Sequence, residues 1–221
     1  MSHDHDDFAF EHAPGIPAPL PKGERMLWQG RPNAWRLAVE SLSLKWITGY
    51  FLLLAAWRVL SAIADLGFQM ALLTAIPLLL MAAISVMILY GIAWLQARAT
   101  VYTITTDRVL MRIGAALQVT INLPFKQIEN AALDLGKDGT GTIALEPKVG
   151  GGRMVSYLVL WPHVRPWHTR WPEPSLRAIP DAQNVADILA DAAETRMAKP
   201  EIRRFDDTKT ASAPAGVVAA E

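Results

Sequence analysis

Hydrophobic positions along this chain change their period twice. From Leu42 to Leu95 they run almost without a break. From Thr100 to Trp161 they come in short stretches separated by turn residues, and near the C-terminus they recur at helical spacing. Within the first region no charged side chain lies between Leu66 and Ala97. The run Met70–Leu95 (MALLTAIPLLLMAAISVMILYGIAWL) is long enough, at about 1.5 Å per residue, to cross a roughly 30 Å hydrocarbon core. A soluble helix of that length needs a polar face, so the pattern predicts a transmembrane helix. Pro77 is expected to kink it, and Tyr90 and Trp94 fall where amphipathic rings favour the headgroup level.

A second span is predicted upstream, over Trp46–Trp57 and Val59–Ala64, with Arg58 between them. An Arg at mid-membrane costs about 2.5–3.5 kcal/mol on insertion scales, and two registers avoid that cost. The span starts near Leu42 and leaves Trp57 and Arg58 at the far interface, or it ends near Leu66 with Arg58 snorkelling. Either way the two helices form a hairpin, about 42–64 and 70–95, closed around Ser61–Gln69. Lys22, Arg25, Arg31, Arg36 and Lys45 precede it and Arg98, Arg108 and Arg112 follow, whereas the connection holds only Asp65. The positive-inside rule then puts both termini in the cytoplasm.

Beyond Arg98, β-branched and aromatic stretches alternate with turns. Strands are predicted over Thr100–Thr105, Arg108–Ile113, Leu117–Leu123, Ile128–Leu135, Thr142–Leu145 and Val155–Trp161, with turns at Thr106–Asp107 and Gly136–Gly141. That spacing indicates an antiparallel barrel or sandwich. After Pro180, Asp181 is placed to N-cap a helix whose Val185, Ile188, Leu189 and Ala192 make one apolar face. The organisation expected is an unstructured 1–20, a cytoplasmic 21–41 segment, the membrane hairpin 42–97, a cytoplasmic domain 98–198 and an unstructured tail 199–221.

Composition narrows the function. Lys+Arg and Asp+Glu both number 21, giving zero net charge, which excludes a broadly basic nucleic-acid binder. The absence of cysteine excludes disulfide frameworks, thiolate metal sites and thiol nucleophiles. The acidic, His-bearing start MSHDHDDFAFEH is the opposite of a cleavable leader. No nucleophile elbow, Walker A loop or zinc-protease motif occurs, so no enzyme is expected. Gly139–Gly141 and Gly150–Gly152 read as turns between strands, not phosphate cradles, because no helix starts after them. His3 and His5 beside Asp4, Asp6 and Asp7 would bind a metal weakly at best, since a free tail loses its full entropy on ordering. No cofactor is predicted.

The densest candidate chemistry is Trp161–Pro174, which packs three tryptophans, two histidines, two arginines and four prolines into irregular chain. Trp and Arg dominate binding hot spots, and prolines lower the entropy lost on docking. Trp161, His163, Arg165, Trp167, His168, Arg170 and Trp171 are therefore the candidate partner-binding residues. The competing readings are tryptophans packed on the barrel or at the membrane interface, and ligation of a bacteriochlorophyll by His163 or His168. Arg98, Arg108 and Arg112, with Lys126 nearby, are candidates for lipid headgroup contact. Gly49 and Gly91 are candidates for close helix packing. Either helix could also pair with a second copy.

Several motifs carry a family resemblance. Gly23-Glu24 with Leu27-Trp-Gln-Gly-Arg-Pro32, then Tyr102-Thr-Ile-Thr, Arg108-Val-Leu, and Leu123-Pro-Phe resemble the bacterial membrane-anchored pleckstrin-homology-like (PH-like) proteins. With NLPFKQIENAAL, GTGTIAL, LWPHVRPWH and IPDAQNVADILA, the chain from about Pro19 to Ala193 is similar to the photosynthetic-complex assembly proteins of purple phototrophic bacteria. The resemblance implies an α+β membrane protein, a two-helix hairpin followed by a PH-like barrel or sandwich of about seven strands with a C-terminal helix. It implies a non-enzymatic assembly factor in the inner (intracytoplasmic) membrane, with reaction-centre and core-antenna subunits and membrane lipids as partners. The alternative is a general PH-like scaffold or lipid-interacting protein with no photosynthetic client.

Overall fold

The computed structural model describes residues 15–16, 19–148 and 156–198. His3, His5, the Gly150–Gly152 cluster and the tail beyond Ala198 lie outside the described residues. The chain runs β1 (Met26–Gly30), α1 (Ala34–Ser41), α2 (Leu44–Leu73), α3 (Ile76–Ala99), β2 (Val101–Thr105), β3 (Arg108–Ile113) and β4 (Val119–Pro124). A short 3-10 turn (Phe125–Gln127) follows, then β5 (Ile128–Leu135), β6 (Gly141–Pro147), α4 (Tyr157–Leu160), β7 (Ser175–Ile179) and α5 (Ala182–Ala198).

Two antiparallel sheets, β1-β2-β3-β4 and β5-β6-β7, enclose one core. Period-two alternation supplies it: Val109, Met111 and Ile113 from β3, Ile121 and Leu123 from β4, Ile143 and Leu145 from β6. No ladder joins the two sheets among the described residues, so they form an open-edged sandwich and not a closed barrel. Helix α5 lies against β5 and β6 and buries Val185, Leu189 and Ala192 of the predicted face. The Gly136–Gly141 turn forms as predicted. A Cβ on Gly141 would sit 2.6 Å from the Asp134 carbonyl oxygen and 2.7 Å from Ala182, so only glycine lets α5 start so close.

Two regions depart from the sequence reading. Val155–Trp161 is not the last strand: its described part, Tyr157–Leu160, is one helical turn. Leu160 is fully buried while Leu158 and Val159 are exposed, a helical spacing of inward positions, and Pro162 has no N–H for a ladder. The place beside β6 is taken by β7. Upstream, residues 21–41 are not a bare lead-in. β1 pairs with β2 across the whole hairpin, with the Gln29 amide 2.9 Å from the Thr103 hydroxyl, 74 residues on. α1, capped by the Asn33 side chain, buries Leu37 and Ala38 against α3 and β7. Its Arg36 donates to Thr140 (2.9 Å) and pairs with Asp138 in the β5–β6 turn.

The apolar hairpin reverses inside the predicted connection. Gly67, with φ 72° and ψ 162°, breaks α2, and Leu44 packs with Leu89 and Ala93. That pairing requires the two arms to fold back near residue 67. The first arm therefore continues past Arg58 to Leu66. The disturbance expected from Pro77 lies just before it. Thr74 and Ala75 donate to Ala71 and Leu72 at i−3, a tightened turn, and Pro77 begins α3. Both helices are long and apolar enough to cross a membrane. Apart from Leu44 at the start of α2, their buried positions are alanines (Ala55, Ala62, Ala71, Ala82, Ala93, Ala97), while Leu53, Trp57, Leu60, Phe68 and Met87 are exposed.

Candidate functional site

Residues 161–174 form a necked hairpin. Val164 bridges Pro174, the Arg165 N–H donates to the Glu173 carbonyl (3.0 Å), and the Ser175 N–H donates to the His163 carbonyl (2.9 Å). Below the neck, His163 is fully buried. The Thr100 hydroxyl donates to the Gln96 carbonyl at 2.8 Å, so its oxygen is left to accept from His163 Nε2–H at 3.0 Å. His163 Nδ1 then accepts from the Tyr102 hydroxyl at 2.6 Å, and that oxygen accepts from the Arg177 N–H at 3.2 Å. Every donor in this relay has one acceptor. Burial, reinforced by the Arg177 charge, holds the imidazole neutral and pushes its pKa down to about 3. Burial likewise raises the Tyr102 phenol above its ordinary value.

His163 is thus neither a docking residue nor a pigment ligand. Both ring nitrogens are committed inside the core, where its role is to fasten the loop to β2 and β7.

Above the neck the same loop faces outward. Trp167 and Trp171 are 93% and 47% exposed there, and Trp161, which precedes the neck, is 43% exposed. Arg165 pairs with the buried Glu173 at 3.0 Å. His168 Nδ1–H donates to the Pro166 carbonyl (3.0 Å), and its Nε2 lies 3.7 Å from the Glu173 carboxylate. Trp167 has φ 69°, a backbone conformation that a bulky residue rarely adopts. Arg165, Trp167, His168, Arg170 and Trp171 therefore lie at or beyond the neck on an exposed tip, Trp161 is half-covered just before the neck, and of the seven candidates only His163 lies inside.

The candidate lipid cations divide differently. Arg108 is taken by Glu24, with Nε to Oε1 at 2.8 Å and Nη2 to Oε2 at 2.6 Å, while Thr105 donates to the same carboxylate at 2.7 Å. The guanidinium holds Glu24 below the usual carboxylate range. Arg112 is buried and donates to Gln118. Neither is placed to reach a headgroup, because each is held within the first sheet. Arg98 is exposed at the end of α3 and stacks over Trp94 at 5.4 Å. Gly49 and Gly91 play no part in the packing of the two arms. Both face outward with nothing within 4 Å of an added Cβ, which leaves their surfaces open to another helix. Glu24 was not among the candidate site residues; it entered only as part of the Gly23-Glu24 family motif, and its partner lies 84 residues away.

The bacterial PH domain family matches residues 46–193. Over 201 residues, covering 90% of this chain and 92% of the relative, the sequence is 50% identical to the "uncharacterized 23.7 kDa protein in puhA 5′ region" of Rhodobacter capsulatus. No solved structure matches the chain.

Proposed function

The chain belongs to the bacterial PH domain family, and from that premise we propose that it is a PuhB-type, non-enzymatic membrane factor for assembly of the photosynthetic reaction centre and core antenna. The relative's gene neighbourhood, beside the photosynthesis gene puhA, supports this client. The two apolar arms serve as the anchor in the inner (intracytoplasmic) membrane. Because β1 and β2 are neighbours in one sheet, both ends of the hairpin return to the same domain. That supports an even number of crossings, and the flanking Lys and Arg favour the cytoplasmic side for domain and termini. The outward faces at Gly49 and Gly91 suit lateral contact with client helices.

The observation that carries the reading is the tip of the 161–174 loop. An almost fully exposed Trp167, held in a strained backbone conformation above a pinned neck, is a pre-organised anchor for a protein surface. The factor would hold incoming subunits until pigment insertion and packing are complete, then release them. The test is near-infrared absorbance of membranes from a deletion strain complemented with wild type or with Trp167→Ala/His168→Ala. The reading expects reaction-centre and core-antenna bands to fall in the double variant while the factor's own membrane level stays normal. Unchanged bands would make the tip structural. Unchanged bands and phototrophic growth in the deletion strain itself would remove the photosynthetic client.

A further inference from the structure

The outer face of the β5-β6-β7 sheet is built from small side chains around one large cation. Register places Ala132 opposite Ala144 and Asp134 opposite Thr142, all on the side away from the core residues Leu133, Ile143 and Leu145. Arg177 of β7 joins them, its neighbour Leu176 pointing inward to the core. The alanines leave room, and the end of α1, the start of α2 and the Arg165–Pro166 corner wall it in. A hollow of about 640 Å³ results.

Arg177 is only 9% exposed, yet its guanidinium makes no hydrogen bond and no ion pair among the described residues, and its Nε is enclosed without an acceptor. A buried charge without a partner is costly unless something supplies one. The nearby carboxylates, Glu40 and Asp134, are exposed and lie beyond ion-pair distance. The remaining cation in the lining, Arg165, is already paired with Glu173. The N-terminus of α2, at Ser43, has no side-chain cap, which leaves its positive end beside the hollow. A simple anion would meet Arg177 but also both carboxylates. A zwitterion with a phosphate and an ammonium meets an opposite charge at each end, Asp134 being without an ion pair among the described residues and Glu40 only loosely paired with Arg36 at 3.8 Å. Trp46, 82% exposed in the first turn of the first apolar arm, stands at the mouth, the level at which an indole sits among headgroups.

We propose that this hollow binds the zwitterionic headgroup of a membrane phospholipid, with its phosphate on Arg177 and its ammonium toward Glu40 and Asp134. The proposal rests on the membrane-anchored reading but not on any photosynthetic client. The test uses the full-length protein in detergent micelles, titrated with dihexanoyl phosphatidylethanolamine, dihexanoyl phosphatidylglycerol or inorganic phosphate, and reads the thermal unfolding midpoint. The ethanolamine lipid should raise the midpoint by several degrees, more than the glycerol lipid, and phosphate alone should leave it in place. Arg177→Met should keep or raise the lipid-free midpoint, because an unpaired buried charge is gone, and should abolish the lipid-dependent rise. Glu40→Gln/Asp134→Asn, at exposed positions that leave the core intact, should erase the preference for ethanolamine over glycerol. An equal rise with inorganic phosphate overturns the lipid assignment, and an equal rise with the glycerol lipid overturns the role of the carboxylates. A rise that survives in Arg177→Met, or no rise with any probe, overturns the site. The docking reading is judged separately by the near-infrared bands, which depend on the loop tip.

Discussion

His163 and His168 lie five residues apart in one loop, and they have opposite fates. His163 is enclosed, neutral and hydrogen-bonded through both nitrogens, while His168 is half-exposed, with one nitrogen on a backbone carbonyl and the other near a carboxylate. The tryptophans around them separate by degree in the same way, with Trp167 almost free and Trp161 and Trp171 half-covered. A segment that reads as one recognition motif is therefore two devices. The neck spends its polar groups on the fold, and the tip leaves them for something else. Residue type does not decide which is which. The distance from β2 does.

The contrast can be broken most sharply at the neck. His163→Ala would leave the Thr100 and Tyr102 hydroxyls short of a buried partner and open a cavity, costing about 3–5 kcal/mol. Denaturant unfolding of the protein in detergent checks this, and a cost under about 1 kcal/mol would mean the relay does not hold the neck.

The next effect is a pH dependence. His163 has a folded pKa of about 3, below its ordinary 6.5, so the unfolded chain takes up the proton first. Stability is complete above pH 6.5 and falls toward pH 3, by about 1.4 kcal/mol per unit. Measured between pH 7 and 5, where Glu24 stays ionised because Arg108 holds its pKa below 4.5, the slope should vanish in His163→Asn. An equal slope in both proteins would mean the imidazole titrates normally.

Smaller again is Glu173→Gln. It removes the partner of the half-exposed Arg165 and should cost about 1 kcal/mol, read from the same unfolding curves. The smallest is Trp167→Ala, within about 0.5 kcal/mol in stability because almost nothing covers the ring. Its effect is expected in complex yield and not in the fold. A large stability loss there would place Trp167 with the neck.

Much of the architecture was legible from local pattern. β3 and β5 begin and end where the strand stretches between turn residues place them, the apolar face of α5 is the one its spacing marks, and the hairpin turns within Ser61–Gln69. Most of what escaped shares one cause. β1 is five residues whose ladder, among the described residues, is to β2, beyond the whole hairpin, and a strand that short carries too little pattern without its partner. Arg108 looks like a free cation beside a membrane because Glu24, which occupies it, lies 84 residues away, whereas Arg112 is held by Gln118 only six residues on, a local contact that the strand pattern does not reveal. Val155–Trp161 is rich in β-forming residues, yet its described part is a helical turn because β7 occupies the ladder position beside β6.

By itself, then, the sequence determined most of what depends on side chains close along the chain. That covers two apolar helices with a glycine between them, period-two strands, an amphipathic C-terminal helix, and a loop rich in tryptophan, arginine and proline. Only the tertiary structure decided which polar groups are used up. Hydrogen bonds and ion pairs are satisfied through space, and their partners here lie 61 to 84 residues apart. The result is a silent His163, an occupied Arg108, an exposed Trp167, and an Arg177 enclosed without a counter-charge.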